Sequence, residues 1–341
     1  MTKLRVVQWT TGRTGTAAVR AIARHPQLEL VGCYAWSADK VGRDAGQLCG
    51  IEPLGVTASA DIDALLALEP DCVSYMPYRP DIDHVVRILA TGCNLVSTMY
   101  MLSGRGYGEE AASRIRAATQ QGRSSLYTSG VYPGHIPMVS LAVSAMCERV
   151  DQISILESLD MSGYANEQMF RAMGIDLEPD DPDAATATEA SCGSFKDQLR
   201  VLAHALAVEL DAISFRAEFA TADQDLDFGY MTVRQGRIAG IKGTIAGTRA
   251  GRSLMECRSV WKMGPDRMTP NWPVTNGYVI EVRGSPAFEC RVSPATAHLD
   301  GAVTTALPVV NAIPAVVAAR PGIVNHGELP LVTAAHLVGI D

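Results

Sequence analysis

The sequence predicts two domains of different class: an α/β domain built on a parallel sheet, then an α+β domain whose sheet is mostly antiparallel. Three observations carry this prediction. The 341 residues amount to about two domains at the usual ~150 residues each. The first part of the chain alternates β-type runs with helical runs, the pattern of βαβ units. After Pro133-Gly134 the β-type runs follow one another, separated mainly by Gly, Asp, Asn and Pro turns.

Taken in order, residues 4–9 form a short β-type run and a Thr/Gly turn follows at 10–15. Residues 17–25 have helical spacing, with Val19, Ile22 and Ala23 on one face. A second apolar run at 28–36 completes a strand–turn–helix–strand unit of βαβ size. Helices are predicted at 61–68, 81–91 and 108–121, and strands at 72–76, 94–98 and 124–128. Beyond the boundary, 136–148 has a helical pattern and 152–160 a strand pattern. The acidic, Pro-containing stretch 176–190 predicts an exposed loop, and 195–210 another helix. Strands are predicted at 212–221, 228–234, 237–248, 253–262, 276–283 and 287–293. A last helix at 301–319 is predicted to kink at Pro308. The domains are thus 1–134 and 135–300.

Apolar residues make up 47% of the chain and charged residues 19%, which allows a sizeable core and argues against wholesale disorder. The formal net charge of −8 excludes a general polyanion binder, and 6% aromatic residues leave little for stacking on single strands. No nucleic-acid partner is expected. The N-terminus has no signal-peptide pattern, and no apolar stretch is long enough for a transmembrane helix. The eight cysteines are dispersed, with no zinc spacing. They are expected to be reduced thiols of a cytoplasmic protein, with no metal and no membrane partner. His204 and His298 are expected to be structural.

The sharpest motif is Thr10-Thr11-Gly12-Arg13-Thr14-Gly15, where the first strand meets the first helix. Gly12 and Gly15 let backbone approach a ligand, and a helix N-terminus offers free N–H groups suited to a pyrophosphate. Arg13 can add charge-assisted hydrogen bonds. The glycine fingerprint is incomplete, since Thr10 and Trp9 stand where further glycines would be, but its setting is that of a dinucleotide site. After the second strand comes Ser37 rather than an acid, with Lys40 and Arg43 nearby, which favours NADP. Asp39 keeps NAD open.

These residues resemble a known family. The runs VVQWTTGRTG and LELVGCYAWSADKVGRDAG, CNLVST at 93–98, SGVYPGHIP at 129–137, ESLDMSGY at 157–164 and VNAIPAVVAARPGI at 310–323 are similar to those of dihydrodipicolinate-reductase-like oxidoreductases. That family includes 2,4-diaminopentanoate dehydrogenase and the native amine dehydrogenases. The resemblance implies a Rossmann-type first domain and a C-terminal α+β domain with an open sheet. It also implies a last helix, about 301–320, packed back on the first domain, and a homodimer. By the same resemblance Thr10, Gly12, Arg13, Thr14 and Gly15 hold the pyrophosphate. Ser37 and Lys40 lie at the adenosine end. Met76, Pro77 and Tyr78 line the cofactor cleft, and Ser97 and Thr98 lie near the nicotinamide ribose. Gly130 and Pro133 lie near the nicotinamide, and Asn311 anchors the final helix there.

One departure stands out. The amine dehydrogenases follow their NLVST-like strand with a pair of glutamates, whereas this chain has Tyr100 and Met101 there. Glu109 and Glu110 come later, where they suit a helix start. The His-His run with a nearby Lys of true dihydrodipicolinate reductases is missing as well.

Hydride transfer needs a positioned nicotinamide, a polarised acceptor and a proton source. Tyr100, at the carboxyl end of a parallel strand, is the first candidate donor, and His135, after Pro133-Gly134, the second. Met101, Tyr132 and Tyr164 are candidate substrate-lining residues, and Glu157 and Asp160 come from the first strand of the second domain. The expectation is an NAD(P)H-dependent oxidoreductase acting on a C=O or C=N bond, with C=C also open, of a fairly apolar small molecule. The alternatives are an amine dehydrogenase with a non-standard site and an NADP-binding sensor without catalysis.

Overall fold

The computed structural model describes residues 2–264, 266–295 and 300–339. It divides into two compact units, Met1–His135 with His298–Asp341, and Ile136–Ala297. His298 lies outside the described residues.

The first unit opens with β1 (Leu4–Trp9), α1 (Arg13–Arg24), β2 (Leu28–Tyr34), a short α2 (Ala45–Leu48) and β3 (Ala58–Ser59). It continues with α3 (Ile62–Leu66), β4 (Cys72–Tyr75), α4 (Ile82–Ala90), β5 (Asn94–Ser97), α5 (Gly108–Gly122) and β6 (Ser125–Thr128). Asp61 and Asp81 cap α3 and α4 by accepting backbone N–H bonds, and Glu109 and Glu110 occupy the first turn of α5. An irregular turn, Val131–His135, ends this stretch and contains a cis Tyr132–Pro133 peptide.

The second unit runs through α6 (Ile136–Ser144), β7 (Arg149–Asp160), α7 (Glu167–Met173), α8 (Pro182–Ser191) and α9 (Gly193–Ala205). Its remaining strands are β8 (Ala212–Ala222), β9 (Leu226–Asp227), β10 (Thr232–Val233), β11 (Ile238–Arg249), β12 (Arg252–Lys262), β13 (Met268–Thr269), β14 (Gly277–Ser285) and β15 (Phe288–Val292). Seven of its strands form one sheet, in the order β13-β8-β11-β12-β7-β14-β15. Every pairing in it is antiparallel except β12 with β7. Helix α9 packs on this sheet, with Phe195 6.1 Å from the Trp261 ring.

The chain then returns to the first unit with α10 (Gly301–Asn311), α11 (Ile313–Val317) and β16 (Gly322–Val324). The first sheet is wholly parallel, in the order β16-β6-β5-β4-β1-β2-β3. Its strands are buried on both faces, as a helix-covered parallel sheet requires. Val6, Ile22, Val309, Val310 and Ile313 share one core cluster with 0% exposure, which is how α1 and α10 meet. Trp9, Val73, Ile88, Leu95 and Ile115 belong to a second cluster.

Several local expectations are corrected. The stretch 176–190 is not all loop, because α8 starts at Pro182 with Asp181 capping it. The expected strand at 228–234 survives only as the two residues of β10. Pro308 lies inside α10 without ending it, and the break falls at Ala312.

Candidate functional site

In an open parallel sheet, ligands gather outside the carboxyl ends of the strands, where the strand order reverses. Here the order reverses between β1 and β4. Thr10 spans that point: its Oγ1 donates to the Met76 carbonyl at 3.1 Å, and its N–H donates to the Tyr34 carbonyl at 3.0 Å. The turn from β1 into α1 is thereby tied to the ends of β2 and β4. Thr10 takes a left-handed φ of 71°, costly for a β-branched residue and sustained only by such ties. Buried Gln8 braces the turn from below, its Nε2 donating to the Thr10 carbonyl at 3.0 Å.

The turn leaves room above it. A Cβ on Gly12 would meet nothing within 4 Å, whereas one on Gly15 would stand 2.2 Å from the Thr10 carbonyl oxygen. Gly15 is therefore obligatory where the helix crosses the turn, and Gly12 marks open space in front of it. Among the described residues no side chain caps α1, and no acid sits in its first turn. Its first N–H groups and their positive end are left for an anion. Thr11 Oγ1 is buried with no hydrogen-bond partner among the described residues. Lys40 donates from Nζ to the Thr11 carbonyl at 3.0 Å, which places its charge over the same turn. Arg13 pairs with Asp300 at 3.5 Å, both half exposed. Thr14 is partly buried. The Ser37 carbonyl accepts from the N–H groups of Lys40 and Val41, forming the turn that carries Lys40. Trp36, two residues beyond β2, is 76% exposed. These features fit a dinucleotide phosphate.

The ends of β4 and β5 complete this edge. Met76 is buried, Pro77 partly buried and Tyr78 69% exposed. Ser97 anchors the end of β5. Its Oγ donates to the Tyr75 carbonyl at 2.6 Å and accepts from the Met99 N–H at 3.0 Å, so the hydroxyl is committed to holding the strand end. Thr98 is partly buried. Tyr100 is 53% exposed, and its N–H donates to the Tyr107 hydroxyl at 3.2 Å. Met101, expected to line a substrate cavity, is 0% exposed within the second core cluster and so is a packing residue.

Beyond β6 lie Gly130, Tyr132, Pro133 and His135, of which Gly130 and Pro133 are buried. Burial draws the His135 pKa below its ordinary value, so the ring is neutral at pH 7. Asn311, at the end of α10, keeps a buried Oδ1 without a partner among the described residues. Sequence reasoning missed His326, whose Nε2 lies 3.0 Å from Ser129 Oγ. It missed Gln8 too, although an amide between Val7 and Trp9 in the apolar half of β1 was a visible signal.

Tyr164, Glu157 and Asp160 belong to the second unit; Tyr164 lies in the turn after β7, where its N–H donates to the Met161 carbonyl at 2.9 Å. In the same unit Glu157 is 7% exposed and accepts from Trp261 Nε1 at 2.7 Å. Burial pushes its carboxyl up to about 7, against hydrogen bonds from Trp261 and Tyr278 that pull it down. Asp160 Oδ1 accepts from the N–H groups of Ser162 and Gly264, a structural use.

Among the described residues no group of three or more His, Cys, Asp or Glu is placed to hold a metal ion, and no helix is long and apolar enough to cross a membrane. The cysteines are free thiols, with Cys147 and Cys290 partly exposed and the others buried.

Residues 136–338 match the family model of the 2,4-diaminopentanoate dehydrogenase C-terminal domain, and residues 6–74 that of the dihydrodipicolinate reductase N-terminus. The chain is 30% identical to an amine dehydrogenase of Streptomyces virginiae, over 98% of both chains. It is 34% identical to a 4-hydroxy-tetrahydrodipicolinate reductase of Synechococcus elongatus, over 26% of this chain and 38% of that one. Among solved structures, amine dehydrogenase from Mycobacterium smegmatis superposes with a TM-score of 0.78 at 20% identity, covering 97% of each chain. GenD2 from gentamicin A biosynthesis, in complex with NAD, gives 0.55 at 14% identity over 87% of this chain and 75% of that one. These two structural likenesses show the fold.

Proposed function

The chain belongs to the family of the 2,4-diaminopentanoate dehydrogenase C-terminal domain, and from that membership we propose an NADP-preferring oxidoreductase. It transfers hydride at a C=O or C=N bond, with C=C also open, of a fairly apolar small molecule. The observation that carries this proposal is the turn at the strand-order reversal. There Gly15 lets α1 start against the Thr10 carbonyl, Gly12 fronts open space, and among the described residues no side chain caps α1 and the buried Thr11 hydroxyl has no partner, all beside Lys40.

Thr10, Gly12, Arg13, Thr14 and Gly15 form the pyrophosphate cradle in this reading. Ser37 and Lys40 favour a 2′-phosphate, which is why NADP is preferred and NAD remains a weaker ligand. Met76, Pro77, Tyr78, Thr98, Gly130, Pro133 and the Asn311 carboxamide serve the remainder of the dinucleotide, with Ser97 acting by holding its strand end. When bound, the nicotinamide supplies the hydride. The electron pair of the acceptor's π bond goes to the atom that does not take the hydride (oxygen, nitrogen or, for a conjugated C=C, carbon), and that atom takes a proton from the chain. Tyr100 is the proposed donor, and His135, neutral at pH 7, is proposed to hydrogen-bond the acceptor. A neutral His135 also suits the reverse direction, in which it takes the proton from an alcohol or amine. Tyr132 and Tyr164 line the substrate, and the functional form is a homodimer.

Reductive amination is the second reading, favoured by the full-length similarity to an amine dehydrogenase. Against it stand Tyr100 and Met101 in place of the glutamate pair.

One experiment separates these readings. NADPH and NADH binding is followed by fluorescence, and nicotinamide oxidation is followed across ketones, imines and enones, with and without ammonia. The expected result is NADPH binding with ammonia-independent turnover that falls in Tyr100→Phe. Ammonia-dependent consumption with a ketone establishes amination. Binding without turnover of any acceptor makes the protein a nucleotide sensor, and no binding refutes the proposal.

A further inference from the structure

A polar cluster stands at the carboxyl end of β6. Strand β16 pairs Val324 with Tyr127, and two residues later the His326 ring lies edge-on to the Tyr127 ring, centroids 5.1 Å apart. Nε2 of His326 is 3.0 Å from Ser129 Oγ, across a sequence separation of 197 residues. Ser129 is packed hard against the turn that carries His135, for a Cβ on Gly134 would stand 2.8 Å from Ser129 Oγ and 2.9 Å from its carbonyl carbon. The His135 N–H closes the turn by donating to the Gly130 carbonyl at 2.7 Å. His326, Ser129, Gly134 and His135 thus form one continuous series of contacts. Each imidazole keeps a buried Nδ1 with no partner among the described residues. Such atoms are uncommon in folded proteins and point to a group that arrives from outside.

We infer that His326 is a positioning residue: through Ser129 it fixes the Gly130–His135 turn, and so holds the His135 ring in one place and one hydrogen-bonding state for proton transfer. The proton transfer rests on the oxidoreductase reading above. The positioning rests on these contacts alone. Burial, reinforced by His135, draws His326 down to about 3, and burial lowers His135, so both rings are neutral at pH 7. Among described neighbours, Tyr127 faces His326 from β6. Helix α10, packed on the turn, carries no titratable side chain, and neither does Ile136–Ser144 beyond it. Glu328, on the His326 segment, is paired with Arg320.

The test begins without turnover. Histidine NMR on the whole protein gives the His135 titration in wild type, His326→Leu, His326→Gln and Ser129→Ala. In wild type the midpoint is expected below the ordinary value near ~6.5. His326→Leu and Ser129→Ala should each move it back toward that value, as the turn loosens and takes in water. His326→Gln, which keeps a donor for Ser129, should leave it in place. If the leucine variant does not fold, Ser129→Ala carries the same expectation. A wild-type midpoint at the ordinary value, or one unmoved by Ser129→Ala and His326→Leu, overturns the inference.

The kcat/KM profile then tests the catalytic link. Its pH limb should follow the NMR midpoint, with kcat about tenfold lower in His326→Leu while the NADPH Kd stays within about twofold. A limb that ignores the NMR shift removes His135 from the mechanism and refutes the proton-transfer part, leaving the positioning intact. Absence of turnover in wild type refutes the oxidoreductase reading, and the NMR result still decides the positioning.

Discussion

Replacing Glu157 by Gln should stabilise the second unit in a pH-dependent way. Glu157 is 7% exposed, and its carboxyl is moved from an ordinary 4.5 to about 7, chiefly by burial. Between those values the folded chain holds the proton and the unfolded chain does not. Folding therefore takes up a proton, and stability is lost as pH rises through about 7. At about 1.4 kcal/mol per tenfold change in proton affinity, the loss amounts to about 3 kcal/mol. The carboxamide introduced by Glu157→Gln would still accept from Trp261 but cannot ionise. Any cost of its extra amide N–H groups is the same at every pH, so the slope is the readout. The thermal midpoint of E157Q minus that of wild type should grow between about pH 5 and pH 8 by about 6–12 °C, then level off. Calorimetry across that range measures it. A gap that stays flat would mean that Glu157 ionises normally, and a gap that shrinks would mean that a cation pairs with it; either refutes the reasoning.

Three further outcomes concern the turn. Gly15→Ala puts a methyl 2.2 Å from the Thr10 carbonyl oxygen; it should cost about 1–3 kcal/mol by urea unfolding and abolish NADPH binding. Lys40→Ala removes the ammonium held over Thr11; calorimetric titration should show NADPH binding weakened about tenfold and NADH binding within about twofold of wild type. Trp36→Ala removes a 76% exposed ring two residues beyond β2; if, as we propose, this ring stacks on the adenine, the change should leave the thermal midpoint unchanged while weakening NADPH and NADH alike by about 5-fold or more.

The alternation of strands and helices, and the turn at Thr10–Gly15, were legible because both are local patterns. Other features were misread for identifiable reasons. Asp181-Pro182 looked like loop chemistry, yet Asp as cap and Pro in the first turn are equally how a helix begins. Pro308 looked like a kink, but α10 buries Ala306, Val309 and Val310 on either side of it, and packing outweighs one lost backbone donor. Ser97 was placed near the ribose by resemblance alone, and its two hydrogen bonds, which hold the strand end, have partners that no local pattern announces. Met101 could not be told from a cavity residue, since core and cavity draw on the same apolar side chains. His326 was invisible because its partner lies 197 residues away and β16 is three residues long.

The return of α10, α11 and β16 to the first unit has a consequence for how the protein is made. Translation delivers β1–β6 and α1 first, then the whole of the second unit, and the closing segment last. Until that segment emerges, β6 is an open sheet edge and the α1 surface that meets Val309 and Val310 is uncovered. Such edges and apolar faces invite wrong pairing while a chain is incomplete. The second unit's sheet takes no strand from this segment, whereas the first unit must stay competent for late closure. A chain that stops before Gly301 would keep the β6 edge and the α1 face uncovered.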